Sequence, residues 1–476
     1  MKRPRQGLDL QVDRTLALPV YQQICRRFKT AIEQRHLHSN DRVPSIRALA
    51  AELKVSCGTV DLAYRILIDE GYLLSRGAAG TVVSPALPPA PDVAPRRANN
   101  GAIHAASVDY EGRERKPLLM GLPALDAFPR KTWNRLVGHR LRTSEPARLG
   151  FPDPTGDERL REKIAAYLGI SRGVSCLPEQ VFVTSGLRNS LELILSSLAR
   201  PGDEFWLENP GYILARLFLQ NTGLKLVPVP VDEQGMVVER GLTAAPSARF
   251  AMVTPAHQSP LGVTLSLERR MALLDWAGKM GSWVIEDDYD SEFRYQGRPL
   301  PALKSLDRND RVIYSGTFSK SMFPGLRLAY VVAPLSIAAA FRASAYSINA
   351  GCPYLYQAAV ADFIAGGHFS RHLKKMRLLY AERRMLTERI FSAMLGDRVR
   401  IELQPGGLHM LLQLARHEDD VMLAERAHAA GLALHPLSRW YMRGKPRKGF
   451  LLGFANVVTE KDAMELATRL RQALGG

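Results

Sequence analysis

Cysteine is scarce in this chain. Four occur in 476 residues, Cys25, Cys57, Cys176 and Cys352, all far apart. No Cys-x-x-Cys pair exists, so neither a disulfide framework nor a cysteine-based zinc site is indicated. Long apolar runs are also absent. No stretch reaches the roughly 18 consecutive apolar residues that a membrane helix needs, so no membrane partner is expected. The basic start, Met1-Lys2-Arg3-Pro4-Arg5, has no apolar segment behind it, which argues against a secretory leader. A reducing cytoplasm is the expected location. No internal repeat is found, and no low-complexity segment beyond one short proline-rich stretch.

What is present is ordinary for a soluble globular chain: 46% hydrophobic and 23% charged residues. At roughly 100–200 residues per domain, the length predicts two to three structural units. The formal net charge of +17 invites an anionic partner, but the excess is dispersed. Residues 1–85 hold 13 basic against 8 acidic side chains, and residues 116–476 hold 47 against 35. Charge by itself therefore supports nucleic-acid binding only loosely.

Three zones separate along the chain. Residues 1–84 carry short helical patterns. Pro85-Ala86-Leu87-Pro88-Pro89-Ala90-Pro91 opens a linker over 85–115, because proline removes backbone donors and favours extended chain. Residues 116–476 alternate β-rich runs with helical patterns. The runs include Gln180–Thr184, Phe250–Val253, Trp283–Ile285 and Arg311–Tyr314. Strands alternating with helices imply an α/β fold with a mainly parallel sheet covered on both faces.

In the first zone a helix is expected from about Pro19 to Gln34, with Tyr21, Ile24, Cys25, Phe28, Ala31 and Ile32 on one face. A second follows Ser45, a good N-cap, through Ile46, Leu49, Ala50 and Leu53. Val55 and Ser56 turn the chain into a third, with Val60, Ala63, Tyr64, Leu67 and Ile68 inward, ending at Gly71. Tyr72–Val83, with glycines at its turn, reads as a β-hairpin wing. A short turn between two helices suits a helix-turn-helix, whose second helix enters the DNA major groove. An ordinary small helical subdomain would show the same periodicity.

The run Arg42-Val43-Pro44-Ser45-Ile46-Arg47-Ala48-Leu49-Ala50, followed by Val55-Ser56-Cys57-Gly58-Thr59-Val60, Ala63-Tyr64, Leu67 and Glu70-Gly71-Tyr72, resembles the GntR-type winged helix. That resemblance implies double-stranded DNA as partner. It makes Ser45, Arg47, Ser56, Thr59 and the wing from Arg76 to Gly80 the DNA-contact candidates. One departure is Cys57, where the family usually has arginine, the usual bidentate reader of guanine.

The strongest chemical signal lies further on, in Ser315-Gly316-Thr317-Phe318-Ser319-Lys320-Ser321-Met322-Phe323-Pro324-Gly325-Leu326-Arg327. An aldehyde cofactor needs an amine nucleophile, and a phosphate needs donors and a cation. Lys320 supplies the first; Thr317, Ser319 and Arg327 supply the second. Alone, the motif also fits an exposed loop lysine. Glu286-Asp287-Asp288-Tyr289 ends an apolar strand, at the carboxyl edge where parallel sheets bind ligands. One aspartate there would keep a pyridine nitrogen protonated, although three acids in a row are not rare on loops. Thr184-Ser185-Gly186-Leu187-Arg188 opens a helix whose N-terminal N–H groups suit an anion. Pro210-Gly211-Tyr212 offers an aromatic for stacking. In Thr254-Pro255-Ala256-His257-Gln258-Ser259-Pro260-Leu261-Gly262, the lone His257 reads as hydrogen-bonded rather than catalytic.

In this order and spacing the motifs resemble the fold-type-I aminotransferases, and more narrowly the MocR subfamily of GntR regulators, which fuses both units. The resemblance extends to Gly121-Leu122-Pro123 with Phe128-Pro129, Asp153-Pro154-Thr155-Gly156 and Gly366-Gly367-His368-Phe369. It implies a winged helix-turn-helix followed by a transferase-like domain binding pyridoxal 5'-phosphate (PLP). Lys320 would carry the internal aldimine, Asp287 pair with the pyridine nitrogen, Tyr289 hydrogen-bond the ring oxygen and Tyr212 stack on the ring. Gly186, Leu187, Arg188, Thr317, Ser319 and Arg327 would surround the phosphate. It further implies a head-to-tail homodimer and an effector that is PLP itself or an amine.

The departures from the family bear on activity. Leu187 and Arg188 replace serine and glutamine, and Arg188 is a candidate to supply charge instead. Phe151 stands where aminotransferases place a tyrosine that reaches the neighbouring subunit's phosphate. Ser259 replaces an asparagine. Leu451 replaces the arginine that clamps a substrate carboxylate; Arg439 and Arg443 are the candidates to substitute. The expectation is a sensor with weak or no transaminase turnover. The alternative is a working aminotransferase with a fused DNA-binding unit.

Overall fold

The computed structural model describes residues 12–13, 18–85, 116–297, 300–348, 351–415 and 418–475. The chain divides into two compact units, residues 1–108 and 109–476. Beyond Pro85, the expected linker lies outside the described residues.

The first unit holds α1 (Val20–Glu33), α2 (Ile46–Leu53), α3 (Cys57–Asp69), β1 (Leu73–Ser75) and β2 (Thr81–Val83). Each element follows from local chemistry. The Ser45 hydroxyl accepts from Ala48 N at 3.2 Å and caps α2. The Ser56 hydroxyl accepts from Thr59 N at 3.2 Å and caps α3. Such caps stabilise a helix by about 1 kcal/mol. Ile24, Phe28, Leu49, Val60, Ala63, Tyr64 and Leu67 meet in one core, with the Phe28 and Tyr64 rings edge to face at 5.6 Å. Helix α3 ends two residues before the expected Gly71. Strands β1 and β2 pair antiparallel, from Leu73 opposite Val83 to Ser75 opposite Thr81, and form the wing.

The second unit is built on an eight-stranded sheet. Its strands are β3 (Val181–Thr184), β4 (Glu204–Asn209), β5 (Lys225–Asp232), β6 (Gly235–Met236), β7 (Phe250–Val253), β8 (Trp283–Asp288), β9 (Val312–Thr317) and β10 (Ala329–Val332). The spatial order is β3-β10-β9-β8-β7-β4-β5-β6. Strands β5, β4, β7, β8 and β9 run parallel. Strand β10 is antiparallel to both neighbours and β6 is antiparallel to β5. The sheet is thus mainly parallel, as the alternation of elements predicts. A separate four-stranded antiparallel sheet, β11 (Val399–Glu402), β12 (His409–Leu414), β13 (His435–Pro436) and β14 (Gly449–Gly453), follows near the chain's end.

Both faces of the large sheet are covered, and successive side chains of a strand alternate between them. On β8, Trp283 and Ile285 enter one apolar cluster and Val284 the opposite one. Asp287 therefore shares a face with Ile285, while Glu286 and Asp288 share the other with Val284. Among the described residues, no helix is long and apolar enough to cross a membrane.

Candidate functional site

The carboxyl ends of β8 and β9 bring the acidic triplet and Lys320 to one edge of the sheet. Lys320 lies on a single helical turn, Phe318–Ser321, directly after β9. The Thr317 hydroxyl caps that turn by accepting from Ser319 N at 3.1 Å. The Lys320 amine donates to the Gly121 carbonyl at 2.7 Å. Gly121 has φ +72°, and a Cβ there would stand 2.5 Å from Nζ. Only glycine allows both that backbone and that approach. Burial pushes the Lys320 pKa down, against the pull of Asp290 and Asp287. The amine is thereby biased toward its uncharged, nucleophilic form.

The three acids of β8 have three different surroundings. Glu286 accepts from Leu303 N and Lys304 N, both at 2.8 Å. Asp288 accepts from Arg172 Nε at 2.8 Å and from the Tyr314 hydroxyl at 2.6 Å. Asp287 is 7% exposed, yet among the described residues its carboxylate has no hydrogen-bond or ion-pair partner. Burial pushes its pKa up to about 8, helped by repulsion from Asp288, Glu208 and Asp290. A buried carboxylate without a partner is costly. Its chemistry calls for a cationic N–H, the group that a protonated pyridine ring presents. The residues present therefore fit the cofactor that the motifs imply.

At the same edge, Arg327 lies against Gly186: a Cβ added to Gly186 would meet its Nη2 at 3.0 Å. Gly186 precedes the helix Leu187–Leu198, so backbone N–H groups and a guanidinium converge there. Arg188 behaves differently from expectation. Its exposed guanidinium lies over the Phe218 ring, 5.9 Å from the centroid, where it gains a cation–π contact. Its backbone remains in the first turn, but the side chain is already engaged. Half-buried Tyr212 sits beside Trp440, with ring centroids 6.1 Å apart.

The structure adds one residue that the sequence reading missed, Glu208, and gives Gly121 and His257 their partners; His257 is hydrogen-bonded, as expected. Glu208, at the end of β4, is buried and accepts from the Thr254 hydroxyl at 2.7 Å and from Gln258 Nε2 at 3.2 Å. Gly121 was legible only as part of a motif, not as the lysine's partner. His257 is buried, with Nδ1 3.1 Å from both Asp290 oxygens and 3.0 Å from the Tyr289 hydroxyl. An Asp-Tyr-Asp run after a strand was the available signal for that cluster.

Leu451, on β14, is fully buried in an apolar cluster with Leu261, Leu411, Leu437 and Trp440, against which Tyr212 and Met120 pack. Arg439, a candidate to replace the missing arginine, pairs with Glu425 at 3.4 Å. Arg443 is exposed.

In the first unit, Arg47 and Cys57 are exposed, and Arg47 has no ion-pair partner among the described residues. Ser45 and Ser56 are committed to helix caps, and the Thr59 hydroxyl lies 2.8 Å from that of Ser56. On the wing, Arg76 donates to the Asn40 side chain at 2.8 Å.

Comparison with known proteins accords with both units. The bacterial regulatory gntR family matches residues 20–83. The aminotransferase class I and II family matches residues 125–434. The probable rhizopine catabolism regulatory protein MocR of Rhizobium meliloti is 38% identical over 94% of this chain and 92% of its own length. The chain belongs to the MocR-type GntR regulators. Another relative, the pyridoxine biosynthesis transcriptional regulator PdxR of Corynebacterium glutamicum, is 32% identical, covering 91% of each chain. Among solved structures, the kynurenine aminotransferase of Pyrococcus horikoshii, crystallised with pyridoxamine phosphate, superposes with a TM-score of 0.68 at 28% identity. The match covers 75% of this chain and 90% of that one. A MocR-type regulator thus joins a DNA-binding winged helix to a fold-type-I aminotransferase-like unit.

Proposed function

We propose that this regulator holds PLP on Lys320 and couples the state of that site to DNA binding by residues 1–84. The effector is PLP itself or an amine that reacts with it, and residues 116–476 form the sensing domain. The observation that carries the reading is the Asp287 carboxylate, buried and without a hydrogen-bond or ion-pair partner among the described residues, at the same sheet edge as half-buried Lys320. When bound, the cofactor supplies an aldehyde for Schiff-base formation and a cationic ring that withdraws electrons.

The chain's own groups do the rest. Lys320 offers a largely desolvated amine, held in place by the Gly121 carbonyl. Asp287 supplies the anionic partner for a ring N–H, an arrangement that stabilises both charges. Arg327, Thr317, Ser319 and the backbone of Gly186, Leu187 and Arg188 would hold the phosphate. Tyr212 would stack on the ring, and Tyr289 would hydrogen-bond its oxygen. On DNA, Arg47 and Arg76 contact the duplex, with Ser45, Ser56 and Thr59 presenting the ends of α2 and α3.

A head-to-tail homodimer with two DNA-binding units is the assembly that this reading requires, and fully exposed Phe151 is the side chain that would face the partner subunit. The cytoplasm is the compartment that suits this role. Turnover as an aminotransferase is disfavoured, because the buried apolar setting of Leu451 offers a substrate carboxylate neither charge nor donor.

The test has two readouts. Purified protein mixed with PLP should develop a visible band that borohydride fixes as an adduct on Lys320, and PLP or an amine should shift the affinity for the promoter DNA the protein controls. An adduct on another lysine, or DNA affinity indifferent to site occupancy, overturns the proposal.

A further inference from the structure

The cluster around His257 has a donor–acceptor logic that the cofactor reading does not use. His257 is 4% exposed. Its Nδ1 faces both oxygens of Asp290 at 3.1 Å and the Tyr289 oxygen at 3.0 Å. A ring nitrogen carries either a proton or a lone pair, and the two choices differ sharply here. A lone pair on Nδ1 would face a carboxylate and be repelled. A proton on Nδ1 satisfies Asp290 and can be shared with the Tyr289 oxygen.

The other side of the ring accommodates the same tautomer. Among the described residues, Nε2 has no hydrogen-bond partner, nor do the Ser291 hydroxyl and Arg294 Nε. All three residues line one buried cavity of about 10 Å3, with Arg172 on the same wall. That volume suits a single water. Arg294 can donate into it, Asp290 also borders it, and the Ser291 hydroxyl can donate or accept. A water there would accept from Arg294 and donate to an Nε2 lone pair.

The ring packs closely against glycine backbone. A Cβ at Gly407 would stand 1.9 Å from His257 Cε1, and one at Gly262 would stand 3.0 Å from Nε2. His409 packs beside it at 4.9 Å between centroids, with its pKa pushed down to about 4 by burial and by His257. His409 Nε2 lies 2.9 Å from the Pro260 carbonyl oxygen.

We propose that His257 is a positioning residue: fixed as the Nδ1–H tautomer against Asp290, it makes the Tyr289 oxygen an acceptor and turns the tyrosine's own proton toward the cofactor side. With the Nδ1 proton on that oxygen, the tyrosine's own proton points away from His257. Asp287 and Asp290 act electrostatically on both Tyr289 and Lys320, which places the tyrosine and the lysine in one site. The inference rests on the cofactor reading for what Tyr289 then donates to, but not for the tautomer.

Two measurements test it. Nitrogen-15 spectra of the full chain without cofactor, with histidine labelled and His257 assigned through His257→Asn, should show Nδ1 protonated and Nε2 as the acceptor. The reverse tautomer overturns the proposal whatever the cofactor does. In cofactor-loaded protein, a hydroxyl donating to the ring oxygen lowers the pH at which the visible band loses its proton. His257→Leu should raise that midpoint by about one unit, a tenfold change in proton affinity. His257→Asn, which keeps a donor near the Nδ1 position, should restore most of it. A midpoint unmoved in His257→Leu but raised in Tyr289→Phe overturns the proposal. Failure of the wild-type chain to develop any band would instead sink the cofactor reading and leave the tautomer test standing.

Discussion

Asp287→Asn should make the cofactor-free protein more stable and the cofactor-loaded protein weaker. The carboxyl is 7% exposed and its pKa is raised from 3.8 to about 8, with burial the leading cause. A carboxyl raised in the folded state binds more protons folded than unfolded. Stability therefore falls as pH rises from near 4 to near 8. Each unit of displacement corresponds to about 1.4 kcal/mol, so the cost above pH 8 reaches about 6 kcal/mol at most. Asparagine carries no charge and removes that slope. Cofactor-free wild type should thus lose thermal stability across this range more steeply than the variant. With PLP the order reverses: losing a charged hydrogen-bond partner should cost roughly 1.5–3 kcal/mol, a fall in affinity of about 10- to 150-fold. The assay is thermal melting from pH 5 to 9 with and without PLP, plus titration of the visible band. Asp288→Asn is the control. It strands the buried Arg172 guanidinium and should destabilise by about 3–5 kcal/mol with or without cofactor. If Asp288→Asn instead abolishes the band while Asp287→Asn spares it, the strand register of the argument is wrong.

Gly121→Ala should impair reaction of Lys320 with PLP, because the new Cβ meets the amine at 2.5 Å on a backbone at φ +72°; an undiminished rate of band formation would contradict the contact. Cys57→Arg should tighten DNA binding and change base preference while altering stability by less than about 0.5 kcal/mol, since Cys57 is an exposed thiol at the start of α3; footprinting and melting report on each. Arg47→Ala should weaken binding to all sequences and lower the salt-dependence slope by about one; loss confined to one sequence would mean a base contact instead. Single-turnover spectra with common α-amino acids should show no conversion to the pyridoxamine form within minutes, and rapid conversion would establish a working aminotransferase.

The sequence by itself determined the two-part architecture. The caps Ser45 and Ser56 and the helical periodicity of residues 20–69 specify a small helical unit through local hydrogen bonds and amphipathic faces, which need no distant partner. Alternating strands and helices after residue 116 dictate a mainly parallel sheet. Lys320 and the acidic triplet were legible because strand ends punctuate the chain, and parallel sheets place ligands there. The antiparallel insertion of β10 was not legible, since strand order depends on crossovers far apart in sequence. Nor could the sequence apportion Glu286, Asp287 and Asp288, three neighbours of one charge. The tertiary structure divides them by the two-residue alternation of β8: Asp288 meets Arg172 from 116 residues away, Glu286 meets the backbone of Leu303 and Lys304, and Asp287 meets no partner among the described residues. His257 shows the same limit. A loop histidine says little alone; burial against Asp290, Tyr289 and a glycine 150 positions onward gives it one tautomer. Local hydrogen bonding and periodicity are written along the chain, whereas desolvation and donor–acceptor pairing exist only once distant segments enclose a group.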